Sequence, residues 1–301
     1  MHERTTVTED PTLADKPQRI GVRRTYKLYV GGAFPRSESG RSYPVTSPAG
    51  DHLANAALAS RKDVRDAVVA ARKAFPGWSG RTAYNRGQIL YRVAEMMEGR
   101  RAQFAEEVAA AEGSGAAEAQ ALVSAAVDRW VYYAGWTDKI GQVLGGVNPV
   151  SGPYLNLSEP EPAGVVGVLA PGGSSLLGLV SVLAPVIAAG NTAVLVASER
   201  LPLPAVTLAE ALATSDLPGG VANILTGRLA ELAPPLAGHA DVNALDLAGA
   251  GSLAAELEAV AATTLKRVLR PGRDDWDDPD PGLSRVKPFM EIKTVWHPIG
   301  R

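Results

Sequence analysis

The sequence predicts an α/β protein built on a doubly wound parallel sheet. Three observations lead there. Residues 165–199, VVGVLAPGGSSLLGLVSVLAPVIAAGNTAVLVASE, read as an apolar strand, a Gly-Gly-Ser-Ser turn, a helix, a Gly-Asn turn and a second apolar strand. Strand and helix patterns keep alternating through residue 262, as in successive βαβ units. The two apolar strands are β-branched and uninterrupted, the pattern of strands buried on both faces. From Pro162 to Ser198 there is no charged side chain. A loop that handles phosphates or polarises a carbonyl usually shows one, so this unit poses the question of where any chemistry sits.

The elements follow in order. The N-terminal MHERTTVTEDPTLADKPQ is polar, lacks an apolar signal core and reads as a flexible tail over 1–20 of a cytoplasmic protein. Short β-like runs between Gly, Pro and Ser turns predict strand hairpins over 27–60. Ser60 with Asp63 predicts a capped helix start, and Pro76-Gly77 predicts its end near Phe75. Residues 82–112 read as helical, with Ile89, Leu90, Val93, Met96 and Met97 on one face. A long Ala-rich helix is expected over 115–140, ending in Trp130, Tyr132, Tyr133 and Trp136, which pack on a neighbouring element or a subunit. Residues 141–161 read as a β-hairpin. Strands are expected at 164–170 and 192–197, a helix at 202–214, a turn then a strand over 216–227, a helix at 228–237, a strand over 242–249 and a helix at 252–262. Residues 270–288, with four Pro, two Gly and five Asp, read as a linker before a strand-like end, FMEIKTVWHPIG.

Composition excludes several classes. A net charge of -2 and a pI near 6.1 give no basis for nucleic-acid binding. The uncharged run is cut by Pro171, Gly172-Gly173, Pro185 and Gly190, so neither piece reaches the ~20 apolar residues of a membrane span. There is no cysteine, hence no disulfide, thiolate metal site or cysteine nucleophile. His2, His52, His239 and His297 are scattered without metal-ligand spacing. The Asp274, Asp275, Asp277, Asp278 and Asp280 cluster reads as a solvated charge run. Gly249-Ala250-Gly251-Ser252-Leu253-Ala254 fits G-x-G-x-x-A between strand and helix, either to admit a pyrophosphate or as a tight turn. Gly172-Gly173-Ser174-Ser175 is likewise an anion cradle or a plain turn.

Several long stretches carry a resemblance. KLYVGGAF, SPAGDHLANAALASRKDVRDAVVAARKAFPGW, YYAGWTDKIGQ, EPAGVVGVLAP, LAPVIAAGNTAVL, DLPGGVANILTG and LKRV stand in the order and spacing of the aldehyde dehydrogenase superfamily. The chain resembles it over 27–269 and again at 288–296. The resemblance implies a Rossmann-type NAD-binding domain over 21–140 and 162–269. It implies an oligomerisation arm from 141–161 and 287–301, whose C-terminal strand pairs with a neighbouring subunit's sheet. The family's catalytic domain lies between LKRV and that strand, where this chain has the linker of 270–286.

The departures concern working groups. Pro171-Gly172-Gly173 stands for the family's Pro-Trp-Asn, removing the oxyanion donor. Val182 and Val196 stand where the family has lysines, while the ribose-binding Glu is kept as Glu199. Phe-Thr-Gly-Ser becomes Leu247-Ala248-Gly249-Ala250, and Arg270-Pro271-Gly272 lies where a general-base Glu is expected. Aldehyde oxidation of this type needs a thiolate, an oxyanion donor, NAD and a base. The resemblance therefore implies no catalytic residue, no metal and no required cofactor. NAD contacts are expected only from Glu199, Gly227, Gly249 and Gly251. Losing a charge-assisted lysine contact costs about 1.5–3 kcal/mol, roughly tenfold to hundredfold in affinity. The expected function is a non-catalytic subunit that assembles with a full-length, cysteine-containing aldehyde dehydrogenase or with itself, through the 141–161 hairpin and the 288–296 strand. The alternative is a stand-alone NAD-type binding or sensing module.

Overall fold

The computed structural model describes residues 24–300, so the tail expected over 1–20 lies outside the described residues. Strands β1 (Thr25–Tyr26), β2 (Ser42–Thr46) and β3 (His52–Ala57) form a small sheet of order β1-β3-β2, with β2 and β3 antiparallel. The expected hairpin is there, but KLYV itself is irregular and touches the main sheet by a single bridge, Tyr29 to Ile224.

Helix α1 runs Arg61–Ser79, four residues beyond the stop expected near Phe75. The start is as read: the Ser60 hydroxyl accepts from the Asp63 N–H, and Asp63 returns the bond to the Ser60 N–H at 2.8 Å. The helix outlasts Pro76 because Trp78 is buried and its indole N–H donates to the Ile187 carbonyl at 3.1 Å, anchoring the last turn. The single helix expected over 82–112 is two, α2 (Ala83–Glu98) and α3 (Arg101–Glu112), divided at Gly99-Arg100. That break lets Met97 and Phe104 enter one core. Helix α4 (Ala116–Trp136) ends before 140, and a short helix α5 (Ile140–Leu144) occupies the first part of the expected hairpin. The hairpin is β4 (Gly146–Asn148) against β5 (Tyr154–Pro162).

The main unit alternates strand and helix: β6 (Val165–Leu169), α6 (Leu177–Ala188), β7 (Thr192–Val196), α7 (Leu203–Ala213), β8 (Ala222–Leu225), α8 (Leu229–Ala237), β9 (Ala244–Asp246), α9 (Ala254–Ala262) and β10 (Arg267–Leu269). All five strands are parallel, in the order β10-β9-β6-β7-β8. This is the doubly wound order, with its reversal between β6 and β9. Alternate residues of β6 feed opposite layers. Val166 and Val168 meet α4, α6 and α7, whereas Val165 and Leu169 meet α1, α8 and α9.

Residues 270–289 are not a free linker. Val286 and Phe289 are fully buried in the same core as α4 and α6. The Arg129 guanidinium on α4 donates to the carbonyls of Trp276 and Asp278 at 2.8 and 2.7 Å. Strand β11 (Met290–Pro298) then pairs antiparallel with β5 over nine residues, completing an arm of order β11-β5-β4. Among the described residues no helix is long and apolar enough to cross a membrane, and no group of three or more His, Asp or Glu stands in a metal-holding arrangement.

Candidate functional site

In an open parallel sheet, ligands bind past the carboxyl ends of the strands, at the point where strand order reverses. Here that crevice lies between the loops after β6 and β9. Glu199, Gly227, Gly249 and Gly251 all follow carboxyl ends, of β7, β8 and β9 respectively. The fold thus gathers the four predicted residues on one edge. Of these, Glu199 and Gly249 are bonded within the chain, whereas Gly251 is open.

The loop from Ala170 to Leu176 leads into α6, whose first turn offers N–H groups. Both the N–H and the hydroxyl of Ser175 donate to one oxygen of Glu112, each at 2.6 Å. Glu112 is the last residue of α3, so a carboxylate of the protein itself occupies the anion-facing donors. The Ser174 hydroxyl accepts from the Gly178 N–H at 2.8 Å, satisfying another. Gly172 and Gly173 remain exposed, with space beside their backbones.

Glu199 is engaged twice. One carboxylate oxygen accepts from Arg228 at 3.0 Å and the other from the Leu229 N–H at 3.2 Å, at the start of α8. Gly227 has φ +151°, which favours glycine, and packs against Leu232 and Ala59. Gly249 donates its N–H to the Leu169 carbonyl at 2.9 Å, and a Cβ there would stand 1.9 Å from the Ala170 carbonyl oxygen. Its missing side chain serves contact between two loops of the protein. Gly251 has φ +54° and opens to solvent. Val182 and Val196 are buried in the core. Arg228 on Glu199 and Glu112 on Ser175 thus engage two of the polar groups along this edge, while Gly172, Gly173 and Gly251 stay open.

A second polar cluster lies at the carboxyl end of β9. Asp246 is fully buried; its Oδ2 accepts from Arg285 at 2.5 Å and its Oδ1 from the Ala248 N–H at 3.0 Å. Arg285 also pairs with Asp274 at 2.6 Å, and its guanidinium lies over the Trp276 ring, 5.0 Å from the centroid. Burial pushes the Asp246 carboxyl above its usual range, and Arg285 pulls it back. Burial opposes the charge on Arg285, but Asp246 and Asp274 together hold its pKa above the ordinary value. The result is an ion triad, with Asp246 and Arg285 buried and Asp274 at the surface, tying segment 270–289 to the sheet. All five aspartates of the run stay exposed as expected, although Asp274 pairs with Arg285 and Asp280 accepts from the Tyr132 hydroxyl at 2.5 Å. No residue of this set is a nucleophile beside a base, and the triad is a structural tie.

Comparison with known proteins places this geometry. Residues 34–270 match the model of the aldehyde dehydrogenase family. The chain belongs to the aldehyde dehydrogenase family. It is similar to DhaS of Bacillus subtilis (strain 168), 34% identical over 252 residues that cover 82% of this chain and 50% of that protein. It is similar to the cytosolic 10-formyltetrahydrofolate dehydrogenase of Mus musculus, 32% identical over 83% of this chain and 28% of that protein. Among solved structures it resembles the NAD+ complex of an aldehyde dehydrogenase from Bacillus cereus, with a TM-score of 0.76 and 30% identity over 81% of this chain and 50% of that one. The chain thus spans half or less of these aldehyde dehydrogenase relatives.

Sequence reasoning missed Glu112, Arg228 and the Asp246–Arg285–Asp274 triad. Only Asp246 carried a signal: a lone acid inside the apolar strand VNALDLAG must find a buried partner. Nothing in the sequence shows that Glu112, 63 positions before Ser175, turns onto the charge-free loop. That contact bears on the question the loop raised: the Ser175 donors are engaged from within, while Gly172 and Gly173 stay exposed.

Proposed function

We propose that this chain is a cytoplasmic, non-catalytic aldehyde dehydrogenase-like subunit that supports or regulates a full-length, cysteine-containing member of the family. One observation carries the reading. Among the described residues the three-stranded arm presents an apolar surface and an unpaired nine-residue strand edge, while Glu199 and Ser175 at the carboxyl edge of the sheet bond to Arg228 and Glu112. The chemistry agrees: there is no thiol for a hemithioacetal, no amide after Pro171 for its oxyanion, and Arg270-Pro271-Gly272 where a base is needed. Segment 270–286 stands where the resemblance puts a catalytic domain, and Arg129 and Asp246 tie it to α4 and the sheet. NAD affinity, on this reading, is weak and not needed for the role.

The test is co-purification from native cells at near-endogenous level, with the mass and composition of the complex measured. A full-length relative in fixed ratio, lost when the β11 edge is altered, is the expected result. A chain that elutes without such a relative, or aldehyde-dependent NADH formation by the purified chain, would overturn the proposal. Thermal unfolding with 1 mM NAD should show no shift. A dissociation constant of ~10 μM would add about 2.7 kcal/mol of stability at that concentration and would favour a nucleotide-binding module.

A further inference from the structure

Beside the small N-terminal sheet, Lys27, Arg36 and Arg41 are exposed and pair with no carboxylate among the described residues. They line one concavity of about 240 Å³, with Thr25, Ser42 and Ala57 in its wall and no Asp or Glu. Concavities elsewhere on the surface mix both signs: Arg92 with Glu95, Arg228 with Glu199, Lys62 with Glu38 and Arg129 with Asp128. The backbone under the three cations is pinned from the interior. Leu28, next to Lys27, is fully buried and donates its N–H to the Pro35 carbonyl at 3.1 Å, which sets Lys27 beside Arg36. Ser37, next to Arg36, is buried, and its hydroxyl donates to Asp63 at 2.8 Å. The Arg41 carbonyl accepts from the Leu58 N–H at 2.9 Å, and the Arg41 N–H donates to the Ser39 hydroxyl at 3.3 Å. The acids of the neighbouring turn are engaged elsewhere. Glu38 pairs with Lys62 at 3.4 Å, and Asp63 is buried, accepting from the N–H groups of Ser60 and Glu38.

We propose that this concavity binds the dianionic phosphoryl group of a small organic phosphate. Three like charges held at one place repel one another, and a multivalent anion between them offsets that cost. Arg36 and Arg41 offer planar forks of N–H donors that match phosphoryl oxygens, and Lys27 adds a point charge. Three positive charges suit a dianion better than a carboxylate. The hydroxyls of Thr25 and Ser42 in the wall are further donors. The size points the same way. Sites that enclose a whole small molecule run from about 300 Å³ upward, so this one takes the charged head and leaves the rest of the ligand outside. Because the turn is fixed by Asp63 and Leu58, the cations are presented without a loop having to order on binding. The concavity shares no residue with the carboxyl edge of the main sheet or with the three-stranded arm. It stands or falls apart from the function proposed above.

The test is calorimetric titration of the full chain with phenyl phosphate at low ionic strength and pH 7.5. Three charge-assisted contacts at the lower end of their range give a dissociation constant of ~1 mM, with one molecule per chain. Binding should weaken at pH 5, because a phosphoryl group takes up its second proton near pH 6. Inorganic phosphate should bind within a few-fold of phenyl phosphate, since the ring stays outside. Phenylacetate, with a single charge, should bind at least about tenfold more weakly. Arg36→Gln and Arg41→Gln should each weaken binding about tenfold, the loss of one such contact. Arg273→Gln removes an exposed cation outside the concavity and should leave binding unchanged. The side chains replaced are all exposed, so melting temperatures should match the wild type and Lys27→Gln supplies a third independent variant. No saturable binding up to ~10 mM, ten times the expected constant, overturns the proposal. So does an equal loss from Arg273→Gln, or equal affinity for phenylacetate. A single-stranded oligonucleotide that binds far more tightly through the same three cations would reveal a polyanion surface and overturn the assignment to a small phosphate.

Discussion

Replacing Arg285 by Met tests whether segment 270–289 belongs to the folded core. In the native protein Asp246 has no exposed surface and two partners, Arg285 at 2.5 Å and the Ala248 N–H at 3.0 Å. Met matches the length of the stem but leaves the carboxylate with the amide alone. Breaking a buried pair from one side costs about 3–5 kcal/mol, because the remaining charge is desolvated without compensation. At about 2 °C per kcal/mol for a chain of this size, the melting temperature should fall by ~6–10 °C. The deficit has a pH signature. Burial already raises the Asp246 carboxyl, and removal of Arg285 raises it further. A carboxyl with a raised folded pKa contributes most below its unfolded value and loses that contribution as pH rises through the folded one. The variant should therefore lie closest to wild type in acid and fall furthest behind at neutral pH. Adding Asp246→Asn should recover part of the loss by removing the charge. Urea titrations of the three proteins at pH 5 and pH 7.5 measure this. A cost below about 1 kcal/mol at pH 7.5, with no recovery from Asp246→Asn, would refute the argument and return 270–289 to the status of a loose connection.

Two further outcomes follow from the same geometry. Glu107 accepts from Thr207 at 2.6 Å, Tyr26 at 2.9 Å and Gln103 at 3.3 Å, yet burial outweighs these bonds and raises its pKa; Glu107→Gln should therefore gain on wild type as pH rises from 4 to 8, and denaturation curves showing a pH-independent difference would count against it. Gly249→Ala places a Cβ against the Ala170 carbonyl and should cost more than ~3 kcal/mol, whereas Gly251→Ala meets open space and should cost only the ~1–2 kcal/mol of a left-handed residue; equal losses in chemical denaturation would show that Gly249 is not a packing glycine.

Much of the fold was legible because its signals are local. The β-branched runs of β6 and β7, the Ser60–Asp63 cap and the turns around Gly190 and Gly219-Gly220 depend on neighbours in sequence. Boundaries failed where distant contacts decide them. Pro76 reads as a stop, but the burial of Trp78 against α6 carries α1 past it. Residues 82–112 read as one helix, yet the turn at Gly99-Arg100 is what brings Met97 and Phe104 into one core. The Asp-rich segment misled most. Its composition is that of a solvated linker, and only the position of Asp246 under it explains why Arg285 and Val286 are buried. For the candidate site, the four residues expected to contact a dinucleotide fall along the carboxyl edge of the sheet. Nothing in the sequence signals that Glu112 and Arg228 already engage groups there.

The contrast between that edge and the arm bears on function. At the carboxyl edge, positions that would carry charge toward a ligand hold buried valines, and the polar groups present bond one another. On β11 the charged residues, Glu291 and Lys293, are tied to Arg267 and Glu161 of the same chain. Ala163 N–H donates to the Phe289 carbonyl, and hydrogen-bonded pairs alternate along the ladder. The residues whose backbone faces outward are therefore Ile292, Thr294 and Trp296, with no charge or proline to blunt the edge between them. A protein acting alone gains solubility from a lysine or proline at any of those three positions. Their apolar, β-forming character raises the risk of unwanted pairing and is offset only when a definite strand occupies the edge. The physical case for assembly thus rests on what this surface costs when bare, and it stands apart from the missing catalytic groups.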